Sequence, residues 1–405
     1  MRNVEKFGLA FRLFLRRILG MIDPTAKELL AQDSPEFKMI QGLVEDTCKS
    51  GKLEKVYEIF GGYVNRSFGI EMTGTDGEPI DYFVRRYRDT QSEADIVAEH
   101  DLIAFCIERG LDFAAGLIKM PNGKTYTYIT DERDGLNYPW AVYRYLYGED
   151  PFDWINTCLQ PSEDKAMGVC QANLHGSAYG FTGGEKEEPQ IYEFLAARKQ
   201  HFIDCKDSVE IPKRDRYDLL YRTGLPFVLE MCDKARKGIE ESGMLEEGKG
   251  YKTVCHCDYH PSNVKWKDGD ICGIFDFDWS KVDYRLFDIC FGLVYTCTAW
   301  GALENYVYIE DGDLVLDRAK LYLQGYNEKT LDKGVLPIFT EEEKKAFPYM
   351  YLAATIYLWN WCTDYYNFPE DYNEYEWHYY LEHIYKAIRF ANDHIEDIYN
   401  TICSL

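Results

Sequence analysis

Two short stretches in the second half of the chain decide the fold: His256-Cys257-Asp258-Tyr259-His260-Pro261-Ser262-Asn263 and Ile274-Phe275-Asp276-Phe277-Asp278. Between them lie two short apolar segments that are joined by a polar turn at residues 267–270. This pattern predicts a β-hairpin, because an Asp-Gly pair between strand-forming residues favours a tight turn. A hairpin brings its two flanks to one end, so we expect Asn263 and Asp276 to lie near each other.

The residue types in these stretches suit phosphoryl transfer. A carboxylate such as Asp258 can accept or orient the hydroxyl proton of an acceptor molecule. Divalent metal ions that bridge phosphates prefer oxygen ligands, which Asn263 and Asp276 can supply. His256 is predicted to brace the loop through hydrogen bonds.

The two stretches resemble the motifs of the aminoglycoside phosphotransferase and choline kinase family. That family typically reads His-Gly-Asp-x-His-x-x-Asn and then Ile-Asp-Phe-Asp, so Cys257 stands where a glycine is usual. The resemblance implies that Asp258 is the catalytic base and that Asn263 and Asp276 are catalytic through Mg²⁺ binding. It also implies ATP as the phosphate donor and Asp288 as a buttress of the catalytic loop.

The preceding half of the chain agrees with this resemblance. A segment between two predicted strands resembles the family's phosphate-covering loop, in which glycines let backbone N–H groups approach phosphate. The residues of this loop that we assign to nucleotide binding are Gly61, Gly62, Asn65 and Ser67.

Arg85 occupies the position of the third-strand lysine of kinases. Strand alternation places Phe83 and Arg85 on one face and Arg86 on the other, so Arg85 is the first choice for contacting phosphate. Glu99, on the following predicted helix, is its expected ion-pair partner. The segment 143–146 resembles the kinase hinge, where the backbone pairs with adenine, and we name Tyr145 as its representative.

The expected fold class is α+β, in a two-lobed, protein-kinase-like arrangement. Residues 1–52 are predicted to form a helical N-terminal extension, with an amphipathic helix near residues 7–22, a short helix after Pro24 and another helix near 35–49. Residues 53–147 are expected to form a small antiparallel-sheet N-lobe that binds nucleotide. Residues 148–405 are expected to form a mostly helical C-lobe with the catalytic loop and the acceptor site.

The amino-acid composition limits which kinds of molecule the protein is expected to bind and where it is expected to be located. The chain of 405 residues has 45 basic and 69 acidic side chains, and its net charge of −24 disfavours binding to nucleic acid. No apolar run is long enough to span a bilayer, so an integral membrane protein is not expected. The 13 cysteines form no regular framework, which favours reduced thiols and a cytoplasmic location. The oligomeric state is left open.

The sequence therefore predicts an ATP-dependent kinase that phosphorylates a hydroxyl group of a small molecule. Aminoglycosides, choline or ethanolamine, and sugars or amino sugars are the candidate acceptors. Two alternatives stay open: a protein kinase, although Asp278 replaces the glycine of Asp-Phe-Gly, and an inactive nucleotide-binding protein of the same fold.

Zinc binding by the cluster that begins at Cys255 is disfavoured. Its alternating spacing does not match that of structural zinc sites. Cys255 and Cys257 are expected to be buried packing residues.

Overall fold

The computed structural model describes residues 27–59, 65–152, 159–183, 188–205, 216–300, 309–367 and 374–405. The amphipathic helix predicted near residues 7–22 and the loop residues Gly61 and Gly62 lie outside these ranges. The chain divides into two compact units. The first contains the described residues up to Glu108, then Asp112–Asp150 and Cys272–Phe275; the second contains Arg109–Leu111, Pro151–Ile271 and Asp276–Leu405.

The first unit is built on a six-stranded sheet with the order β1-β2-β3-β4-β6-β5, in which all neighbouring strands are antiparallel. Its strands are β1 (Lys27–Leu29), β2 (Gly51–Ile59), β3 (Arg66–Gly74), β4 (Pro79–Arg86), β5 (Tyr126–Thr130) and β6 (Asn137–Arg144). Its helical segments are α1 (Pro35–Gln41), a π-helical segment (Gly42–Thr47) and α2 (Glu93–Glu108). The antiparallel sheet predicted within residues 53–147 and the predicted helix that carries Glu99 are therefore present.

Alternation along β4 gives the sheet two different faces. Val84 is fully buried in an apolar core with Phe68 and Trp140. Phe83 and Arg85 point to the other face, where Arg85 lies in register between Ser67 of β3 and Ala141 of β6. These two small neighbours leave room on that face for a guanidinium group.

The predicted N-terminal extension contributes to this core from residue 27 onwards. Ser34 caps the start of helix α1, because its side chain accepts a hydrogen bond from the Phe37 N–H at 3.3 Å. Phe37 and Ile40 of this helix are buried in the same core as Val84. Lys27–Leu29 pairs as a strand with β2, so these residues are not part of the short helix expected after Pro24. The domain limits at residues 53 and 148 stay predictions.

The second unit is mainly helical. Its helices are α3 (Pro161–Ala178), α4 (Ile191–Asp204), α5 (Arg216–Glu241), α6 (Arg285–Cys297), α7 (Leu316–Lys333), α8 (Glu341–Trp361), α9 (Asp364–Asn367), α10 (Glu374–Asp393) and α11 (Ile395–Cys403). Helix α8 is central and contacts α4, α5, α6, α10 and α11. Among the helices that the structure describes, none combines the length and the apolar character needed to cross a membrane.

Four short strands carry the motif region: β7 (Lys252–Cys255), β8 (Val264–Lys267), β9 (Asp270–Ile274) and β10 (Lys281–Tyr284). The predicted hairpin of β8 and β9 is present, and its turn residues Asp268 and Gly269 both have positive φ. The sequence did not indicate β10, which pairs with β7, because Lys281 and Asp283 give it a loop-like polarity although both are buried.

Glycines set the close approach of α3 and α7. A Cβ atom at Gly168 of α3 would lie 2.0 Å from the carbonyl oxygen of Tyr322 on α7. A Cβ atom at Gly325 of α7 would lie 2.4 Å from the carbonyl oxygen of Lys165 on α3. Any larger residue at either position would force the two backbones apart.

A buried ion pair connects the start of α6 to the start of α8. Arg285 donates from Nε to Glu343 Oε1 at 2.9 Å and from Nη2 to Glu343 Oε2 at 2.6 Å. Glu343 also completes the capping box of α8, accepting from the Thr340 N–H at 3.0 Å while Thr340 Oγ1 accepts from the Glu343 N–H. Both charged side chains are fully buried, so each depends on the other.

We therefore predict that Glu343→Ala lowers the free energy of unfolding by about 3–5 kcal/mol, because it leaves the Arg285 charge buried without its partner. Urea unfolding followed by circular dichroism measures this change. Glu341→Ala, which removes an exposed pair with Lys344 on the same turn of α8, is the matched control and should change stability little. Equal effects of the two substitutions would contradict a special role of the buried Arg285–Glu343 pair in stability.

Candidate active site

The predicted catalytic loop leaves β7 through a strained turn. Cys257 has φ of 60°, in the left-handed region that non-glycine residues seldom adopt. Asp276, after β9, has φ of 68°. Such conformations cost about 1–3 kcal/mol each and persist only where the surroundings enforce them. A glycine, which is usual at the corresponding position of the family motif, would adopt this conformation without strain.

The carboxylate of Asp288, on α6, holds this turn. Its Oδ1 accepts a hydrogen bond from the Cys257 N–H at 2.8 Å, and its Oδ2 accepts from the His256 N–H at 3.2 Å. Two consecutive backbone donors are thus fixed by one buried side chain. These are the contacts that a buttress of the loop requires.

Asp288 is itself fixed by α3. His175 Nε2 lies 2.9 Å from Asp288 Oδ2, and Gln171 Nε2 donates to the same oxygen at 3.0 Å. On its other side, His175 Nδ1 lies 2.9 Å from the Tyr326 hydroxyl of α7. Burial alone would raise the pKa of the Asp288 carboxyl, but the contacts with His175, His256 and the Cys257 N–H outweigh it and hold the pKa below its usual value.

Asp258, the predicted base, lies one residue beyond this turn. Asn263 Nδ2 donates to its carbonyl oxygen at 2.8 Å and to its Oδ2 at 3.0 Å. His260 Nε2 lies 3.5 Å from the other carboxylate oxygen. Burial would raise the pKa of Asp258, but His260, His256 and Asn263 together lower it. The carboxyl is therefore ionised near neutral pH, and with 22% of its side chain exposed it remains accessible.

The metal assignment depends on oxygen donors. The side-chain amide nitrogen of Asn263 is directed at Asp258. The side-chain oxygen of Asn263, Oδ1, is therefore the atom that could bind a cation. Asp276 follows the hairpin strand β9, as Asn263 precedes β8. An amide oxygen and a carboxylate form a hard donor set, which fits Mg²⁺. The roles of these two residues stay predictions.

The cysteines of the motif are buried packing residues, as expected. Burial holds the pKa of the Cys255 and Cys257 thiols well above the usual value, which disfavours the thiolate that a zinc ligand or a nucleophile needs. Cys255 does lie close to His175 and Asp288. In that group, however, the carboxylate oxygens already accept hydrogen bonds from backbone N–H groups.

His256 packs in the second unit between aromatic rings. Its ring centroid lies 5.0 Å from that of Phe277 and 5.9 Å from that of Tyr259. Its carbonyl oxygen accepts a hydrogen bond from the Ser280 hydroxyl at 3.5 Å. The bracing role of the His256 side chain stays a prediction.

In the first unit, the expected ion pair between Arg85 and Glu99 is present. Arg85 Nη1 lies 3.6 Å from Glu99 Oε1, and the two side chains are only 7% and 5% exposed. Arg86 points to the other face, as strand alternation predicted, and pairs with Asp131 at 3.4 Å. The strand register on which the choice of Arg85 depends is therefore confirmed, whereas its contact with phosphate stays a prediction.

Three further residues that were predicted to bind nucleotide, Ser67, Asn65 and Tyr145, lie in the described part of the chain. Ser67 is the cross-strand neighbour of Arg85, and the Asn65 side chain accepts a hydrogen bond from the Arg88 N–H at 3.3 Å. Tyr145 directly follows β6, with its ring centroid 5.1 Å from that of Tyr147. Their roles in nucleotide binding stay predictions.

Several polar partners in these sites were missed from the sequence. Gln171 donates to Asp288, and Tyr326 contacts His175, which in turn contacts Asp288; all three residues lie far from Asp288 in the chain. Tyr87, His100 and Tyr143 surround Glu99. Tyr87 comes two residues after Arg85 and His100 directly follows Glu99, whereas nothing local in the sequence indicated Tyr143.

Asp288→Asn should lower the free energy of unfolding by about 3 kcal/mol, because an amide nitrogen would face backbone N–H donors in the buried site. It should also displace the loop that carries Asp258. We expect kcat to fall more than a hundredfold while the KM for ATP changes little. Urea unfolding and steady-state kinetics measure the two effects, and retention of both stability and kcat would remove Asp288 from this role.

Comparison with known proteins gives the family. The model of the phosphotransferase enzyme family (APH) matches residues 58–323, which is more than half of the chain. A homoserine kinase from Phenylobacterium zucineum (strain HLK1) is 26% identical over 185 residues. That alignment spans 46% of this chain and 46% of the homoserine kinase.

Solved structures share the fold. A choline kinase from Cryptosporidium parvum Iowa II superposes with a TM-score of 0.57 at 16% identity, covering 90% of this chain and 99% of that one. The amicoumacin kinase hAmiN, in complex with AMP-PNP, Ca²⁺ and Ami, gives a TM-score of 0.57 at 15% identity, covering 86% of this chain and 92% of that one. The α+β, protein-kinase-like fold class is confirmed, and the chain belongs to the phosphotransferase enzyme family.

Proposed function

We propose that this protein transfers the γ-phosphate of ATP to a hydroxyl group of a small molecule. The observation that carries the proposal is the arrangement of Asp258, an ionised and accessible carboxylate oriented by Asn263. Membership of the phosphotransferase enzyme family supports the same reaction class.

In this proposal, Asp258 orients the acceptor hydroxyl and takes its proton as the oxygen attacks phosphorus. The lowered pKa keeps Asp258 ready to accept a hydrogen bond from the hydroxyl near neutral pH. Asn263 holds one carboxylate oxygen, so the other, on the side of His260, is the better placed to receive the proton. Ser262, whose hydroxyl lies 2.8 Å from His260 Nδ1, fixes the orientation of that ring.

Two groups of residues are proposed to bind the phosphates: the predicted metal ligands and the predicted nucleotide-binding residues around Arg85. Asn263 and Asp276 would bind Mg²⁺, which neutralises phosphate charge when bound. Arg85, oriented by Glu99, would contact a phosphate oxygen, and Ser67 and Asn65 would add polar groups beside it. The AMP-PNP in the hAmiN complex supports an adenine nucleotide as the donor.

The acceptor is proposed to combine a hydroxyl group with an amine or a sugar ring. Two partly exposed tryptophans of the second unit, Trp279 and Trp361, meet edge to face with centroids 4.7 Å apart. Trp279 lies three residues after Asp276 in the chain. Indole faces bind ammonium groups and sugar rings well. Choline and homoserine, named for two of the similar kinases, are both amino alcohols.

The proposal is tested by an ADP-production screen with Mg²⁺ and ATP or GTP over choline, ethanolamine, homoserine, aminoglycosides, sugars and amino sugars. Phosphorylation of at least one of these acceptors is expected, and mass spectrometry identifies the phosphorylated hydroxyl. Phosphorylation of a protein substrate without any small-molecule product would favour the protein-kinase alternative instead.

Asp258→Asn should reduce kcat about a thousandfold, because the proton acceptor is lost, while ATP binding and thermal stability are retained. The matched control is Asp268→Asn, the same chemical change at the exposed turn of the neighbouring hairpin, where asparagine tolerates positive φ. Near-normal turnover of a folded Asp258→Asn protein would contradict the role of base.

Asp276→Ala should abolish the enhancement of ATP affinity by Mg²⁺, because a hard cation loses a charged oxygen ligand. Isothermal titration calorimetry with and without Mg²⁺ measures this enhancement. Asp270→Ala removes an exposed carboxylate of the same hairpin and should leave the Mg²⁺ enhancement of ATP affinity unchanged. A full Mg²⁺ enhancement in the Asp276 variant would exclude Asp276 as a metal ligand.

A further inference from the structure

Glu99 is held by more than Arg85. The Tyr87 hydroxyl lies 3.1 Å from Glu99 Oε2, the Tyr143 hydroxyl lies 3.2 Å from Glu99 Oε1, and the two hydroxyls lie 2.5 Å from each other. These two tyrosines come from separate segments, since Tyr87 follows β4 and Tyr143 lies on β6. Each phenol has one hydrogen, so one hydroxyl donates to the other and the pair donates its remaining hydrogen to Glu99. Both tyrosines are fixed to the sheet, whereas Glu99 itself belongs to helix α2.

His100 extends this contact into a hydrogen-bonded chain. Its Nε2 lies 3.0 Å from the Tyr87 hydroxyl and 3.3 Å from the Tyr143 hydroxyl, and its Nδ1 lies 2.7 Å from Thr125 Oγ1. Burial, aided by the nearby Arg85 charge, lowers the pKa of His100 to about 3. The ring is therefore neutral near pH 7 and does not compete with Arg85 for Glu99.

The same tyrosines enclose the guanidinium of Arg85. Its Cζ lies 5.8 Å from the ring centroids of both Tyr87 and Tyr143 and 6.0 Å from that of Phe83. A planar, delocalised cation is stabilised among aromatic rings. The flanking Ser67 and Ala141 are too small to fill the space that it occupies. This environment explains why the position carries arginine rather than the lysine of kinases.

We infer that Tyr87 and Tyr143 are positioning residues for the nucleotide: they fix Glu99, and through it Arg85, in place before ATP binds. This inference rests on the proposed function, because it gives Arg85 a phosphate to contact. Preformation matters because an arginine already held in its bound geometry loses less side-chain entropy when ATP arrives. A buried carboxylate that lost one of these donors would keep its charge but not its orientation.

The test compares Tyr143→Phe and Tyr87→Phe with the wild-type protein. Each substitution removes one hydroxyl and keeps the ring beside Arg85. We expect kcat/KM for ATP to fall about tenfold in each variant, with the KM of the acceptor unchanged. In the Glu99→Gln background, Tyr143→Phe should cause a much smaller further loss, because the charge on which the hydroxyl acts is already absent.

Tyr126→Phe is the matched control. Tyr126 lies beside the same cluster, 6.2 Å from His100 between ring centroids, but its hydroxyl donates to Glu93 in the first turn of α2. We expect its kcat/KM for ATP to stay within twofold of wild type. Thermal unfolding of every variant separates nucleotide effects from a general loss of stability, and Tyr87→Phe serves alone if Tyr143→Phe does not fold.

Equal kinetic effects of the three tyrosine substitutions, or parallel losses for ATP and acceptor, would overturn the inference. So would a Tyr143→Phe effect that is undiminished in the Glu99→Gln background. These outcomes differ from failure of the proposed function, in which the wild-type protein itself would transfer no phosphate to any small molecule.

Discussion

The candidate catalytic loop depends on the buried carboxylate of Asp288. It accepts hydrogen bonds from the backbone of His256 and Cys257, and it is held from behind by His175 and Gln171. Asp258 follows directly, so these hydrogen bonds fix the backbone that leads to it, and Asn263 orients its carboxylate. A buried carboxylate with this many donors is strongly oriented, because the donors approach its two oxygens from several directions.

This arrangement also explains how the loop tolerates strain. Cys257 has the left-handed backbone at a position where the resembling family has glycine. Its N–H makes the shorter of the two backbone hydrogen bonds to Asp288, so the interaction that orients the loop also offsets the cost of its conformation. The Cys257 side chain is fully buried, and its packing contributes further to holding the turn.

The first unit uses the same principle with a different set of groups. Glu99 is a buried carboxylate held by a hydrogen-bonded pair of tyrosines and a neighbouring arginine, and a neutral histidine continues the chain of hydrogen bonds. In both units, an acidic side chain on a helix is held by groups from other elements and in turn orients a residue proposed to act on the nucleotide or the acceptor. Rigid support of this kind keeps reacting groups within the narrow range of geometry that catalysis requires.

The sequence by itself determined the family motifs, most strands of the first unit, the hairpin between Asn263 and Asp276, and the face on which Arg85 lies. These features depend on local rules: period-two alternation, Asp-Gly turns and residue spacing within a few positions. Only the tertiary structure decided that Gln171 and Tyr326 support Asp288, that Tyr87 and Tyr143 meet at Glu99, and that Lys281 and Asp283 lie in a buried strand. Those contacts join residues that are distant in the chain, and hydrogen bonding between them leaves no periodic trace in the sequence.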